Sequence, residues 1–338
     1  MRRRDTRLPL LAALMALTLV LGGCAGESPI HIGPDSAGDR SLESAVPASP
    51  ESTEGTTITE IDYTGAGTHA QTLDLYLPSG AGANGGVPLV LFVHGGGWAT
   101  GDKASSRPGA NDTLAAFTEM MLDAGYAVAS VNYRLSAEAI WPAPLHDVHA
   151  ATRFLRTDAD RFGIDPDRFA IAGDSAGGQL ALMLALTADR PALTGAGDDP
   201  VSSEVDAVIS YYGVTDVRTL VAERKAQGCN PQTPPGDPTK EGLLLGVEPS
   251  TPAGAALGAE ASPVTYARAD APPILLFHGT SDCVVPFSQS EAMHEAVVRA
   301  HGSSEIRLGS GGHSAPAFFH DQTMRADALT FLDDAFTG

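Results

Sequence analysis

Residues 171–180 read IAGDSAGGQL: an apolar run, a cluster of small residues around Ser175, then a resumed apolar pattern of helical type. A serine inside G-x-S-x-G, between a strand and a helix, is the pattern of a nucleophile on a sharp turn. The competing reading is one more glycine-rich turn in a chain with 37 glycines. The two readings part on whether a base, an acid and an oxyanion site stand at other strand ends.

They do. The apolar run 89–94 leads into His94-Gly95-Gly96-Gly97-Trp98, where successive glycines let backbone N–H groups face a ligand with no Cβ in the way. Run 274–278 leads into Gly279-Thr280-Ser281-Asp282, and run 305–308 into a glycine-rich turn ending at His313. A serine hydroxyl needs an adjacent base, and that imidazole needs a carboxylate to hold its tautomer. Ser175 is therefore assigned as nucleophile, His313 as general acid/base and Asp282 as the orienting acid. The amides of Gly96, Gly97 and Ala176 are assigned to the oxyanion hole. Trp98 either lines the substrate pocket or packs under the loop.

Rival residues have plainer roles. Asp174 adjoins the nucleophile and is read as a structural member of the turn. Asp270 precedes its strand, and Asp321 starts a helix, where an acidic residue is an ordinary N-cap. His146 and His149 are placed on a helix as surface or partly buried residues, His278 as structural, and His94 as a brace for the glycine loop. His320 lacks the glycine-rich strand-end setting. Tyr133 and Arg134 are expected to fix loops, and Phe318 and Phe319 to pack in the core. No His/Cys/Asp cluster has metal-ligand spacing, so neither metal nor cofactor is expected.

Candidate strands are 58–63, 73–77, 89–94, 127–132, 169–172, 207–212, 274–278 and 305–308. Helical patterns lie at 114–123, 145–161, 179–186, 289–300 and 322–336. The first two strands read as a half-exposed hairpin, the later ones as continuous apolar runs covered on both faces. Strands alternating with helices define an α/β chain: a mostly parallel eight-stranded sheet with helices on both faces. Residues 215–262, rich in Pro and Gly, read as a small loop-rich insertion over one end of the sheet.

The N-terminus reads differently. Arg2, Arg3, Arg4 and Arg7 precede an apolar stretch at 8–21, too short for a comfortable span, and Leu21-Gly22-Gly23-Cys24 follows. Residues 1–23 are thus expected to be a signal peptide and Cys24 a lipidated residue of a bacterial lipoprotein. This places the protein outside the cytoplasm, anchored to a membrane but not spanning it. Residues 24–55, poor in large apolar side chains, are expected to be a flexible tether, and 56–338 a single catalytic domain. In an oxidising compartment the two remaining cysteines, Cys229 and Cys283, are expected to bridge. A net charge of −20 argues against nucleic acid as a partner. Oligomeric state is not legible.

Taken together, the motifs VHGGGW…GDK, SVNYRLS, WPAPLHDVHAATRFLR, GIDPDRFAIAGDSAGG, ASPVTYARADAPPILLFHGTSDCVVPFSQS and GGH resemble the α/β-hydrolase fold, over roughly residues 58–336. Within it they resemble esterases and lipases with an HGGG oxyanion loop and a GDSAGG elbow. The nearest branch is that of feruloyl- and acetylxylan-esterase-like proteins and kynurenine-formamidase-like hydrolases. The resemblance implies metal-free serine hydrolysis of carboxylic esters, with small-molecule or carbohydrate esters as substrates. The chain departs from the hormone-sensitive-lipase branch at Ser136-Ala137, where Ala-Pro is usual, and shows no N-terminal helical cap between signal and first strand. Both departures favour short-acyl or carbohydrate-linked esters over a lidded lipase. Three alternatives stay open: an amidase or formamidase, a lipase, and a non-catalytic surface-binding protein on a hydrolase scaffold.

Overall fold

A computed structural model describes residues 55–337 apart from 83–84, 111–112 and 198. The expected signal peptide, Cys24 and nearly all of the tether lie outside the described residues. All eight expected strands are present: β1 (Thr56–Asp62), β2 (Thr72–Leu77), β3 (Val87–Val93), β4 (Ala127–Val131), β5 (Ile164–Asp174), β6 (Ala207–Tyr211), β7 (Ile274–Gly279) and β8 (Ser304–Gly309). They form one sheet in the order β1-β2-β4-β3-β5-β6-β7-β8. β2 runs antiparallel to both its neighbours, and every other pairing is parallel.

The side-chain period of two divides the strand residues between two cores. Leu89, Leu91 and Val93 of β3 enter one core, with helices Ala143–Thr157, Ala176–Thr187 and Ser288–Arg299. Val90 and Phe92 enter the other, with helices Ala115–Asp123 and Gln322–Thr337. Apolar residues on both faces explain why these strands read as continuous hydrophobic runs. Ala176–Thr187 is buried all round, which suits a helix apolar on every face.

Four expectations need correction. β2 is buried along its whole length and is not half exposed. Its alternation sends Asp74 into the interior, where the buried Lys103 ammonium lies 3.2 Å away and Arg107 3.3 Å away. β5 begins five residues earlier than the apolar run, because the Gly82 and Val87 amides bond the Gly163 carbonyl and draw a polar stretch into the sheet. The helix expected at 145–161 breaks after Thr157 into a second short helix, Ala159–Phe162. The insertion is less loop-like than its composition, holding helices Leu220–Ala226, Lys240–Leu245 and Pro252–Glu260.

His149 also departs from expectation, being fully buried rather than at the surface or partly buried, with Nδ1 2.8 Å from the Ser203 hydroxyl. Burial, with the charges of Arg153 and His146, pushes its pKa down to about 3. Above the unfolded-state pKa of about 6.5 both states are neutral and the folded chain keeps its full stability. Below it only the unfolded chain takes up the proton, so stability falls by about 1.4 kcal/mol per pH unit until the folded pKa is reached. Urea titrations of His149→Gln are therefore expected to lose about 2–3 kcal/mol less than wild type between pH 6.5 and 4.5. Parallel pH dependences in the two proteins would rule this out.

Candidate active site

Sheet order reverses between β3 and β5, since the chain leaves β3 for β4 on one side and then returns to β5 on the other. In open α/β sheets such a switch point opens a crevice at the carboxyl ends of the strands. The loop after β3 carries Gly95, Gly96, Gly97 and Trp98, and the turn after β5 carries Ser175. Both line one cavity of about 330 Å³, together with Ala176 and His313.

Ser175 has φ 52° and ψ −118°, a conformation costly for any residue with a Cβ, of order 1–3 kcal/mol. The surroundings hold it there. Its amide donates to the Tyr211 carbonyl at 2.9 Å, and a Cβ on Gly177 would collide with the Val93 carbonyl. The helix can thus start directly at Ala176, whose amide, in the first turn, has no carbonyl four residues back to bond. The serine hydroxyl lies 2.9 Å from His313 Nε2. His313 Nδ1 lies 2.7 Å from Asp282 Oδ2.

Asp282 is fully buried. Its Oδ1 accepts the Val284 and Val285 amides at 2.8 and 2.9 Å. Burial alone would raise this carboxyl, but hydrogen bonds from His278 and His313, the neighbouring imidazole charge and the Val285 amide outweigh it. They hold Asp282 well below the usual carboxylate range. It is therefore an anion throughout the neutral range, able to fix the imidazole with Nδ1–H toward itself and a bare Nε2 toward Ser175.

The glycine loop is shaped by three positive φ angles in succession, Gly96 at 112°, Gly97 at 63° and Trp98 at 56°. A Cβ on Gly96 would collide with the Thr100 carbonyl, so glycine is required there for space as well as for torsion. Asp174 ties this loop to the serine turn, accepting the Gly95 amide at 2.7 Å. The Tyr133 hydroxyl bonds the His94 carbonyl at 3.0 Å, and its ring stacks on His94. Ser136, one of the residues that departs from the lipase pattern, donates both its amide (2.7 Å) and its hydroxyl (3.0 Å) to the Trp98 carbonyl. Trp98 itself is buried and donates Nε1–H to Gln179 at 3.0 Å, so it packs under the loop while also contributing to the cavity lining.

The other residues singled out lie elsewhere. Asp270 is exposed, and Asp321 accepts the Thr323 and Met324 amides as an N-cap does. Phe318 and Phe319 pack in the core. Arg134 is paired with Asp147. Cys229 and Cys283 are disulfide-bonded, bringing the insertion against the loop that carries Asp282.

His278, read as structural, backs the triad acid, and several further site residues were not singled out in the sequence. His278 Nε2 donates to the Val285 carbonyl at 2.8 Å and sits 3.4 Å from Asp282 Oδ2, backing the acid. Tyr212 meets the His313 ring edge-on at 4.8 Å. The insertion supplies Arg224, Gln232, Thr233, Lys240 and Glu241 to the cavity wall, which Val214, Val284 and Val285 also line. Strand-end position, which marked His278 as structural, could also have drawn attention to Tyr212. Nothing in the insertion's composition marks its wall residues. With a nucleophile, a base and a charged acid at one cavity lined by Gly96, Gly97 and Ala176, the arrangement can carry out acyl transfer through a covalent intermediate.

The family model BD-FAE matches residues 73–297. The chain is similar to the protein named esterase LipQ of Mycobacterium tuberculosis, 30% identical over 279 residues, which is 82% of this chain and 61% of LipQ. It thus spans less than two thirds of that relative. Among solved structures it is similar to a truncated carbohydrate esterase from gut microbiota, with a TM-score of 0.70 and 27% identity over 85% of this chain and 98% of that one. It is also similar to the Thermogutta terrifontis esterase Est2 solved with butyrate bound, with a TM-score of 0.61 and 25% identity over 83% of this chain and 93% of that one.

Proposed function

The chain belongs to the BD-FAE family, and from that premise we propose that it is a serine esterase that cleaves carboxylic esters with short acyl groups, carried on a small or carbohydrate-like alcohol. The observation that carries this is the Ser175–His313–Asp282 chain of contacts at 2.9 and 2.7 Å, opening into a cavity bounded by the Gly96–Gly97 loop. Ser175 attacks the ester carbonyl while His313 Nε2 takes its proton. The oxyanion forms against the amides of Gly96, Gly97 and Ala176. His313 then protonates the leaving alcohol, and water, activated by the same imidazole, releases the acid.

The size of the acyl group follows from the cavity. About 330 Å³ is near the lower end of ligand pockets, which leaves little room for a long chain alongside an alcohol. The wall from the insertion is polar, with Arg224, Gln232, Thr233, Lys240 and Glu241, and suits an alcohol rich in hydroxyls. Of the two similar structures, one is named a carbohydrate esterase and the other holds butyrate, and these support the alcohol and the acyl parts of this reading respectively.

The proposal also places the enzyme outside the cytoplasm, held to a membrane through lipidated Cys24. One experiment tests both parts: a 4-nitrophenyl ester series from acetate to palmitate, an acetylated sugar and a matched anilide, assayed in separated cell fractions. Expected are a maximum at two to four acyl carbons, turnover of the acetylated sugar, and anilide turnover at least about a hundredfold slower. Activity should sediment with membranes for wild type and become soluble for Cys24→Ala. A maximum at long chains would support a lipase, a faster anilide an amidase, and no turnover at all a binding protein.

A further inference from the structure

Asp282, Cys283 and Val284 lie in the loop after β7, and their three consecutive main-chain carbonyls accept hydrogen bonds from outside that loop. Each is met by a different side chain of the insertion. Gln227 Nε2 donates to the Asp282 carbonyl at 2.8 Å, Gln232 Nε2 to the Cys283 carbonyl at 3.1 Å, and Arg224 Nε to the Val284 carbonyl at 2.6 Å. The Cys229–Cys283 disulfide closes the same patch covalently, with Cα atoms 5.4 Å apart. Two further contacts hold this stretch: Arg224 pairs with Glu241 at 2.8 Å and Glu223 accepts the Ser288 hydroxyl at 2.6 Å.

The geometry points to residues 223–232 as a strap that positions the triad acid, with Gln227 as a positioning residue and the disulfide as its lock. This rests on the serine-hydrolase reading of the triad. The physical reason is local. The Asp282 carboxylate contacts His313 over 2.7 Å, and its direction is set by the torsions of a residue whose own carbonyl the strap holds. From inside, Oδ1 is fixed by the Val284 and Val285 amides, which belong to the same loop and would move with it. The start of the loop is tied to β8 and its turn by the Thr280 and Ser281 amides, which donate to the Gly309 and Gly311 carbonyls at 2.9 Å. The main chain of Asp282 to Val284 is held from outside by the strap, with His278 behind the acid. Because Arg224 and Gln232 also line the cavity, the strap makes the pocket wall and the placement of the acid one unit.

The test uses Cys229→Ser/Cys283→Ser and, in case the first fails to fold, Gln227→Ala. Misplacing a catalytic group by about 1 Å can cost about a hundredfold in rate. The double variant is expected to lose at least tenfold in kcat on 4-nitrophenyl acetate with KM within about twofold, and Gln227→Ala to lose less in the same direction. The acid limb of kcat/KM should move to lower pH, because a carboxylate that has drifted no longer favours the protonated ring. The strongly downfield proton resonance of the His313–Asp282 hydrogen bond, recorded without substrate, should shift upfield or broaden. A role in stability alone would lower Tm and leave limb and resonance in place, and that result overturns the proposal. A resonance that shifts in the variants of a protein lacking esterase turnover would sink the esterase reading and leave the strap standing. Turnover with an unmoved resonance sinks the strap alone.

Discussion

Ser175→Ala is expected to lower kcat on a short aryl ester by about 10⁵–10⁶-fold, with KM little changed, and to abolish labelling by a fluorophosphonate probe. The size follows from the geometry. With the hydroxyl gone, His313 Nε2 has no proton to take and no acyl-enzyme can form, so only the cavity's electrostatics and binding remain. Those account for the residual 10³–10⁴ over water found when such triads are disabled. The fold should tolerate the change. Alanine can still occupy φ 52° where serine does, the turn is held by the Ser175 amide and by Gly177, and neither needs the hydroxyl. An unfolding free energy within about 1 kcal/mol of wild type is therefore expected, as for a substitution that leaves no cavity or buried unpaired group. Equal labelling of the two proteins would refute the mechanism.

Asp282→Asn is expected to cost about 10⁴ in kcat at neutral pH, again with a folded protein. Both carboxylate oxygens accept hydrogen bonds: Oδ1 from the Val284 and Val285 amides, and Oδ2 from His313 with His278 close by. An asparagine must turn its NH₂ toward one of these donor groups. The main-chain amides cannot invert, so the NH₂ faces His313 and forces the imidazole to accept at Nδ1. That puts the proton on Nε2, pointing at Ser175, where the base is needed. Because wild-type Asp282 is held well below the usual carboxylate range, its charge persists far into acid, and loss of wild-type activity there should not track its titration. A loss of tenfold or less in the asparagine variant would argue for another acid.

Much of this was legible in the chain. Strands β3 to β7 appeared as apolar runs because they are largely covered on both faces. β8 was expected to be covered likewise but has no fully buried residue, and β2 was misread because its buried Asp74 finds Lys103 and Arg107. Alternation along a strand reports side-chain chemistry, and an inward charge with a distant partner looks the same as an outward one. His149 was misplaced for the same kind of reason, since its hydroxyl partner Ser203 lies 54 residues away. Ser175, Asp282 and His313 stood out because each follows a strand and glycine marks each turn. Arg224, Gln227 and Gln232 did not, because their function rests on contacts with main-chain carbonyls, which carry no residue identity.

The order of elements, the strand-end residues and the glycines that permit crowded turns are properties of the sequence, since torsional freedom and apolar periodicity are local. The tertiary structure alone decided that Trp98 packs beneath its loop, that His278 and Tyr212 bear on the acid and the base, and that the insertion ties itself to the loop of Asp282. Each of these depends on which distant segments the sheet order brings within 3–5 Å, and that proximity is written in no single stretch of the chain.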